Sequence, residues 1–129
     1  MWKKSFQTID NLELIVCSRK SAIIFELAEL PEDGRYNFRF DFDHQIFKEL
    51  LKHIEEAADN SWDNITPKEA SSLNSDYWEY YDKEFDNNGY LKLQRNTLLL
   101  ERPSNISNKL YQFNKGKIES FIYDFRKLA

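Results

Sequence analysis

Between Tyr36 and Ala58 the spacing of apolar residues changes from a period of two to a period of 3.6, and that change constrains the fold more than any other feature. Tyr36, Phe38, Phe40 and Phe42 alternate with Asn37, Arg39 and Asp41, as in a half-buried antiparallel strand whose side chains point alternately to core and solvent. Asp43 follows. Its side chain suits the N-cap of a helix running to about Ala58, in which Ile46, Phe47, Leu50, Leu51, Ile54 and Ala57 share one face. Strand and helix must therefore meet the same core within a few residues of each other.

The flanking sequence supplies more strands. Leu12 to Cys17 and Ala22 to Leu30 are rich in Leu, Ile and Val and are separated by Ser18-Arg-Lys-Ser21, which reads as a hairpin connection. A weaker strand precedes them at about Lys4 to Ile9, and Pro31 to Gly34 makes a turn. Beyond Asn88-Gly89, Tyr90 to Gln94 and Thr97 to Arg102 form a hairpin about Arg95-Asn96, closed by Pro103. Leu110 to Phe113 is a short strand. From Gly116 to Ala129 a second amphipathic helix carries Ile118, Phe121, Ile122, Phe125 and Leu128 on one side, with Arg126 and Lys127 at its favourable carboxyl end. Runs of strands joined by short turns predict an α+β domain: a mostly antiparallel sheet with two main amphipathic helices packed on it. At 129 residues with 16% aromatics and 3 glycines, one domain spanning residues 1–129 is expected, burying roughly two-thirds of its unfolded surface.

The segment Ser75 to Tyr90 stands apart. It holds six aromatics and five acids, Asp76, Glu79, Asp82, Glu84 and Asp86, against Lys83 alone. Its charge of −4 equals that of the whole chain, so the remainder is neutral. At 100° per residue Tyr77, Trp78, Tyr81 and Phe85 fall within an arc of about 100°, and Glu79, Asp82 and Asp86 within an adjacent arc of about 60°. This predicts a third, shorter, acidic aromatic helix, with Tyr80 left outside the apolar arc. The residues singled out as a partner-binding patch are Trp62, Asp76, Glu79, Tyr80, Asp82, Glu84 and Asp86, because Tyr and Trp anchor interfaces and carboxylates steer a basic partner. The loop Asn60 to Asn74, which contains Trp62, joins this segment to the first helix.

Catalytic signatures are sparse. His44 and His53 lie about 180° apart on a helix, which argues against a shared zinc and for surface histidines. Glu84, Asp86, Asn88 and Gly89 imitate the start of a calcium loop, but Arg95 stands where its bidentate Glu belongs. Cys17, the only cysteine, sits in an apolar run and reads as inert core. Gly34, Gly89 and Gly116 form no phosphate-cradling loop. The acids Glu55, Glu56 and Asp59 leave a small carboxylate-dependent enzyme as the remote alternative. No cofactor or metal is expected. A neutral body disfavours direct nucleic-acid binding, no segment has the roughly 18 apolar residues of a membrane span, and a single cysteine fits a reducing cytoplasmic setting.

In size, charge and mixed architecture the chain resembles the bacterial immunity proteins of contact-dependent inhibition and related polymorphic toxin systems. No motif carries the resemblance, so no residue is transferred. It implies a non-enzymatic inhibitor whose acidic patch covers the basic site of a cognate toxin domain, a nuclease foremost. The alternative is a generic protein-binding or regulatory module, such as a phage-type inhibitor.

Overall fold

The computed structural model describes residues 2–29, 32–34, 37–69, 90–101 and 109–129. In chain order its elements are β1 (Trp2–Gln7), β2 (Glu13–Arg19), β3 (Ala22–Leu27), β4 (Asn37–Asp41), α1 (His44–Ser61), β5 (Tyr90–Gln94), β6 (Thr97–Glu101), β7 (Lys109–Phe113) and α2 (Lys115–Leu128). The expected α+β class with antiparallel pairing and two amphipathic helices is observed. The third helix was expected in residues 76–86, which lie outside the described residues.

The strands' most consequential difference from expectation is that they form two sheets rather than one; β2 also runs two residues further, to Arg19, than the expected Cys17, and β3 ends at Leu27 rather than Leu30. A four-stranded sheet has the order β1-β2-β3-β7 and a three-stranded sheet the order β4-β6-β5. The cause lies at the edges. Ile23, Ile24 and Phe25 of β3 pair with Phe113, Gln112 and Tyr111 of β7, which occupies the edge β4 would need. β4 pairs instead along its whole length with β6, from Asn37↔Glu101 to Asp41↔Thr97. Alternation specifies which face a strand buries but says nothing about which neighbour takes its edge.

Both tight hairpins use two-residue connections in which the second residue takes a left-handed conformation. Arg19↔Ala22 closes the first, with Ser21 at φ 63°, and Gln94↔Thr97 closes the second, with Asn96 at φ 62°. β1 begins and ends two residues earlier than its pattern implied, because Thr8 leaves the strand to build a turn. Its N–H donates to the Leu12 carbonyl at 2.8 Å, and its hydroxyl donates to Asp10 at 2.6 Å while accepting from the Leu12 N–H at 2.8 Å.

Asp43 caps α1, accepting from the Gln45 N–H at 3.1 Å. The helix continues past Ala58 to Ser61, with Trp62 as its C-cap. Asn114 caps α2 in the same way through the Lys117 N–H at 2.9 Å. Of the acids toward the carboxyl end of α1, Glu55 is met from α2, where the Arg126 guanidinium donates to it through Nε at 2.8 Å and also through an Nη.

Side chains from both sheets and both helices join one apolar cluster. Its backbone is a continuous series of ring contacts. Phe38, Phe40 and Phe42 succeed one another at 6.2 and 6.5 Å, Phe42 meets Phe47 at 6.5 Å, and Phe47 meets Phe125 at 4.4 Å. From there Phe125 leads to Phe121 at 5.5 Å, and Phe121 to Phe113 and Phe25 at 5.0 and 5.9 Å. The three-stranded sheet is thus tied to the four-stranded sheet through the helices.

His53 corrects the expectation of two surface histidines. Its ring is buried against Trp2 at 4.6 Å and Phe6 at 5.5 Å, and its Nε2 has no hydrogen-bond partner. On the helical projection it lies only about 20° from Ile46, at the margin of the apolar face. Burial, then the Lys4 charge, depress its pKa below the usual 6.5, with Glu56 opposing. A depressed histidine stabilises the fold fully above its unfolded pKa, and that contribution falls as pH drops toward the folded value.

Two outcomes are expected. Phe47→Ala or Phe125→Ala will each cost about 3–5 kcal/mol in chemical denaturation, and the double variant will cost less than the sum because the rings touch. His53→Leu will lose less stability than the parent between neutral pH and pH ~5; parallel pH profiles for the two proteins would remove His53 as the cause.

Candidate functional site

The site is built where the carboxyl end of α1 meets the β2–β3 turn. Helices end with unsatisfied carbonyls, and here the Ser61 carbonyl accepts from the Ser21 N–H at 3.1 Å while the Ser61 hydroxyl donates to the Ala22 carbonyl at 3.4 Å. Trp62 donates its N–H to Ala58 at 3.0 Å and leaves the helix in an extended conformation. Turn and helix end are therefore locked side by side, and the chain leaves alongside them.

Two adjoining hollows result. The inner one, of about 310 Å³, is lined by Trp2, Ser18, Arg19, Lys20, Asn60 and Ser61. The outer one, of about 490 Å³, shares Lys20, Asn60 and Ser61 and adds Ser21, Trp62, Asp63, Asn64 and Lys115. Trp62 is half-buried, packing one side on the core while lining the outer hollow. Trp2 is 38% exposed at the inner one.

The arm after Trp62 has neither helix nor strand through Glu69, yet it is fastened. Ile65 packs on the core. The Thr66 N–H donates to the Glu119 carboxylate at 2.8 Å, the Lys68 N–H reaches the Glu119 carbonyl at 3.4 Å, and the Lys68 ammonium lies 3.8 Å from the same carboxylate. Glu119 itself is buried, at 5% exposure. Sequence reading missed it, because an acid beside an apolar helix face reads as solvated. It sits about 60° beyond Ile122 on the α2 projection, a boundary position that pattern alone leaves undecided.

Of the residues expected to form the partner-binding patch, Trp62 lies in this site. Asp76, Glu79, Tyr80, Asp82, Glu84 and Asp86 lie outside the described residues, as does the calcium-like run Glu84 to Gly89. The segment's flanks are described: the arm on Glu119 precedes it, and β5 begins at Tyr90.

A further hollow, of about 400 Å³, is lined by Ile9, Asp10, Asp41, Phe42, Asn96 and Thr97. Its polar groups are engaged with one another. Asp41 accepts from Arg39 Nε at 2.9 Å and from the Thr97 hydroxyl at 2.8 Å, and His44 Nδ1 lies 2.7 Å from the Asn96 side-chain oxygen. Burial raises the pKa of Asp41, but the bonds from Arg39 and Thr97 and the Arg39 charge together hold it below the ordinary carboxylate value. Backbone bonds cross here too, from Ile9 N–H to Asp41 and from Phe42 N–H to Asn96, both 2.8 Å. This hollow is a joint between the β1–β2 turn, β4 and the β5–β6 turn.

For other chemistry, Cys17 is a buried free thiol in β2, and Glu55 is taken up by Arg126. Among the described residues no three His, Cys, Asp or Glu side chains come together as metal ligands, and no helix is long and apolar enough to cross a membrane. Comparison with protein-family models, with curated proteins and with solved structures finds no significant match.

Glu119→Ala is expected to release the arm, costing about 1.5–3 kcal/mol, as for other hydrogen bonds to charged groups, and speeding amide exchange at Thr66. Glu119→Gln, which keeps an acceptor, should recover much of that protection. Equal exchange rates in all three proteins would show that the arm is held otherwise.

Proposed function

We propose that this chain is an immunity-type inhibitor that binds a cognate toxin domain and occludes its basic active site. One observation carries the reading: the net charge of the chain resides in Ser75 to Tyr90, within a body whose remaining charges balance. The flanks of that segment, the Glu119-fastened arm and β5, both belong to the folded domain. A binder so tethered loses less conformational freedom on association than a free acidic tail would.

In this reading Asp76, Glu79, Asp82, Glu84 and Asp86 stand in for substrate phosphates in a nuclease cleft, drawing the basic partner in by long-range attraction. Tyr80 and Trp62 add the aromatic contacts that resist dissociation. Stoichiometric cover requires no cofactor and no turnover. A free, buried Cys17 suits a reducing cytoplasm, where a toxin delivered into the cell would act.

The test is capture of the tagged protein with its partner from the native source, followed by assay of that partner. A basic toxin domain silenced at one equivalent is the expected outcome; a partner active at saturation refutes occlusion, and a non-toxin partner points to the regulatory module instead. Glu79→Lys with Asp82→Lys makes the segment neutral and should abolish capture while changing stability by no more than about 0.5 kcal/mol, as substitutions on the polar side of the projected helix should. Retained capture by the folded double variant would remove the acidic segment from the interface.

A further inference from the structure

The groove at the carboxyl end of α1 has the opposite charge to the segment just discussed. Arg19 at the end of β2, Lys20 in the β2–β3 turn and Lys115 at the start of α2 line it, against Asp63 as the only acid among the described residues. Four cations of the fold are held in ion pairs, Lys3 with Glu26, Arg39 with Asp41, Lys68 with Glu119 and Arg126 with Glu55, while others, such as Lys48 on α1, stand on the surface away from these hollows. Among the described residues, the side chains of Arg19, Lys20 and Lys115 have no ion pair. Lys20 lines both hollows, Arg19 the inner and Lys115 the outer, an arrangement that a bound anion spanning the two would complete.

A second observation is independent of the charges. Ser18 lines the inner hollow, is 5% exposed, and its hydroxyl is buried without a hydrogen-bond partner. An unsatisfied buried hydroxyl costs roughly 1–3 kcal/mol, a cost that a ligand oxygen reaching it would relieve. Trp2 flanks this end and Trp62 the other.

We propose that this groove binds an acidic peptide segment of a partner protein, its carboxylates paired with Arg19, Lys20 and Lys115 and its backbone lying between Trp2 and Trp62. Charge and size both select peptide over nucleic acid. Three cations neutralise about three phosphates, which gives a single strand only weak, strongly salt-dependent affinity, and the net charge of −4 repels a long polyanion. A segment with two or three carboxylates meets the three cations without extending into the repulsive field. Hollows of about 310 and 490 Å³ accept side chains rather than a folded element. The assignment goes beyond the proposed function, since it concerns the cations and not the acidic segment.

The experiment is calorimetric titration of the intact protein with a capped hexapeptide of alternating Asp and Glu at low salt. Saturable one-site binding is expected, weakened at least about tenfold by Lys20→Glu with Lys115→Glu, since each reversal replaces an attraction with a repulsion. Lys48→Glu, on an exposed turn of α1 about 18 Å from Asn60 along the helix, should bind as the parent does. Arg19→Glu is the substitute variant if the double reversal fails to fold. Absent saturation, affinity indifferent to the reversals, or tighter binding of a single-stranded oligonucleotide of equal charge would each overturn the assignment. Because no toxin is present, these outcomes leave the inhibitor reading to its own test.

Discussion

The contact between Phe47 and Phe125, ring centroids 4.4 Å apart, is the point on which the rest of the architecture depends. Each helix has only one apolar face, and there are two sheets to cover. Phe47 continues the series of rings from β4, while Phe125 continues into Phe121 and the four-stranded sheet. Buried aromatic pairs are worth about 0.5–1.5 kcal/mol beyond the area they bury, and here they also decide geometry. With both helices held at this crossing, Arg126 meets Glu55 and the end of α1 comes to rest against the β2–β3 turn. The groove is a consequence of that packing.

Much of this was legible in the sequence, for a reason that also explains the failures. Periodicity reports faces. It placed Phe38, Phe40 and Phe42, the inward stripe of α1 and that of α2 correctly, and the cap Asp43 and the turn at Arg95-Asn96 followed from local backbone chemistry, while the first turn proved tighter than the expected Ser18–Ser21 because β2 continues to Arg19. Edges have no such signature. Whether β4 or β7 lies beside β3 depends on contacts distant in the chain, so one sheet was expected where there are two. His53 and Glu119 failed at margins, where an angle of 20° to 60° from the apolar face does not decide burial, and what packs on the neighbouring sheet or arm does.

The site was legible only at Trp62. An isolated tryptophan beside an acidic stretch reads as a possible anchor, and the fold does place it in a groove. Arg19 and Lys20 were read as turn residues, and Lys115 fell outside the helix expected from Gly116, because nothing local links them across about a hundred positions. Their convergence is a tertiary fact. It comes from Ser21 and Ser61 locking turn to helix end, and from the antiparallel pairing of β3 with β7 that delivers the start of α2.

The electrostatics of that convergence limit what the groove can do alone. The carboxyl end of α1 carries roughly half a negative charge from its aligned peptides, and Glu55, Glu56 and Asp59 lie in its final turns, with no basic residue in the last turn to offset them. Arg126 answers Glu55, and a cation near a helix carboxyl end generally gains about 0.3–1 kcal/mol from the dipole. A carboxylate at contact distance presents a full charge rather than a partial one, and two oxygens that accept directly. A ligand carboxylate that reached Arg19 or Lys20 would therefore interact with them more strongly than the partial charge of the helix end can.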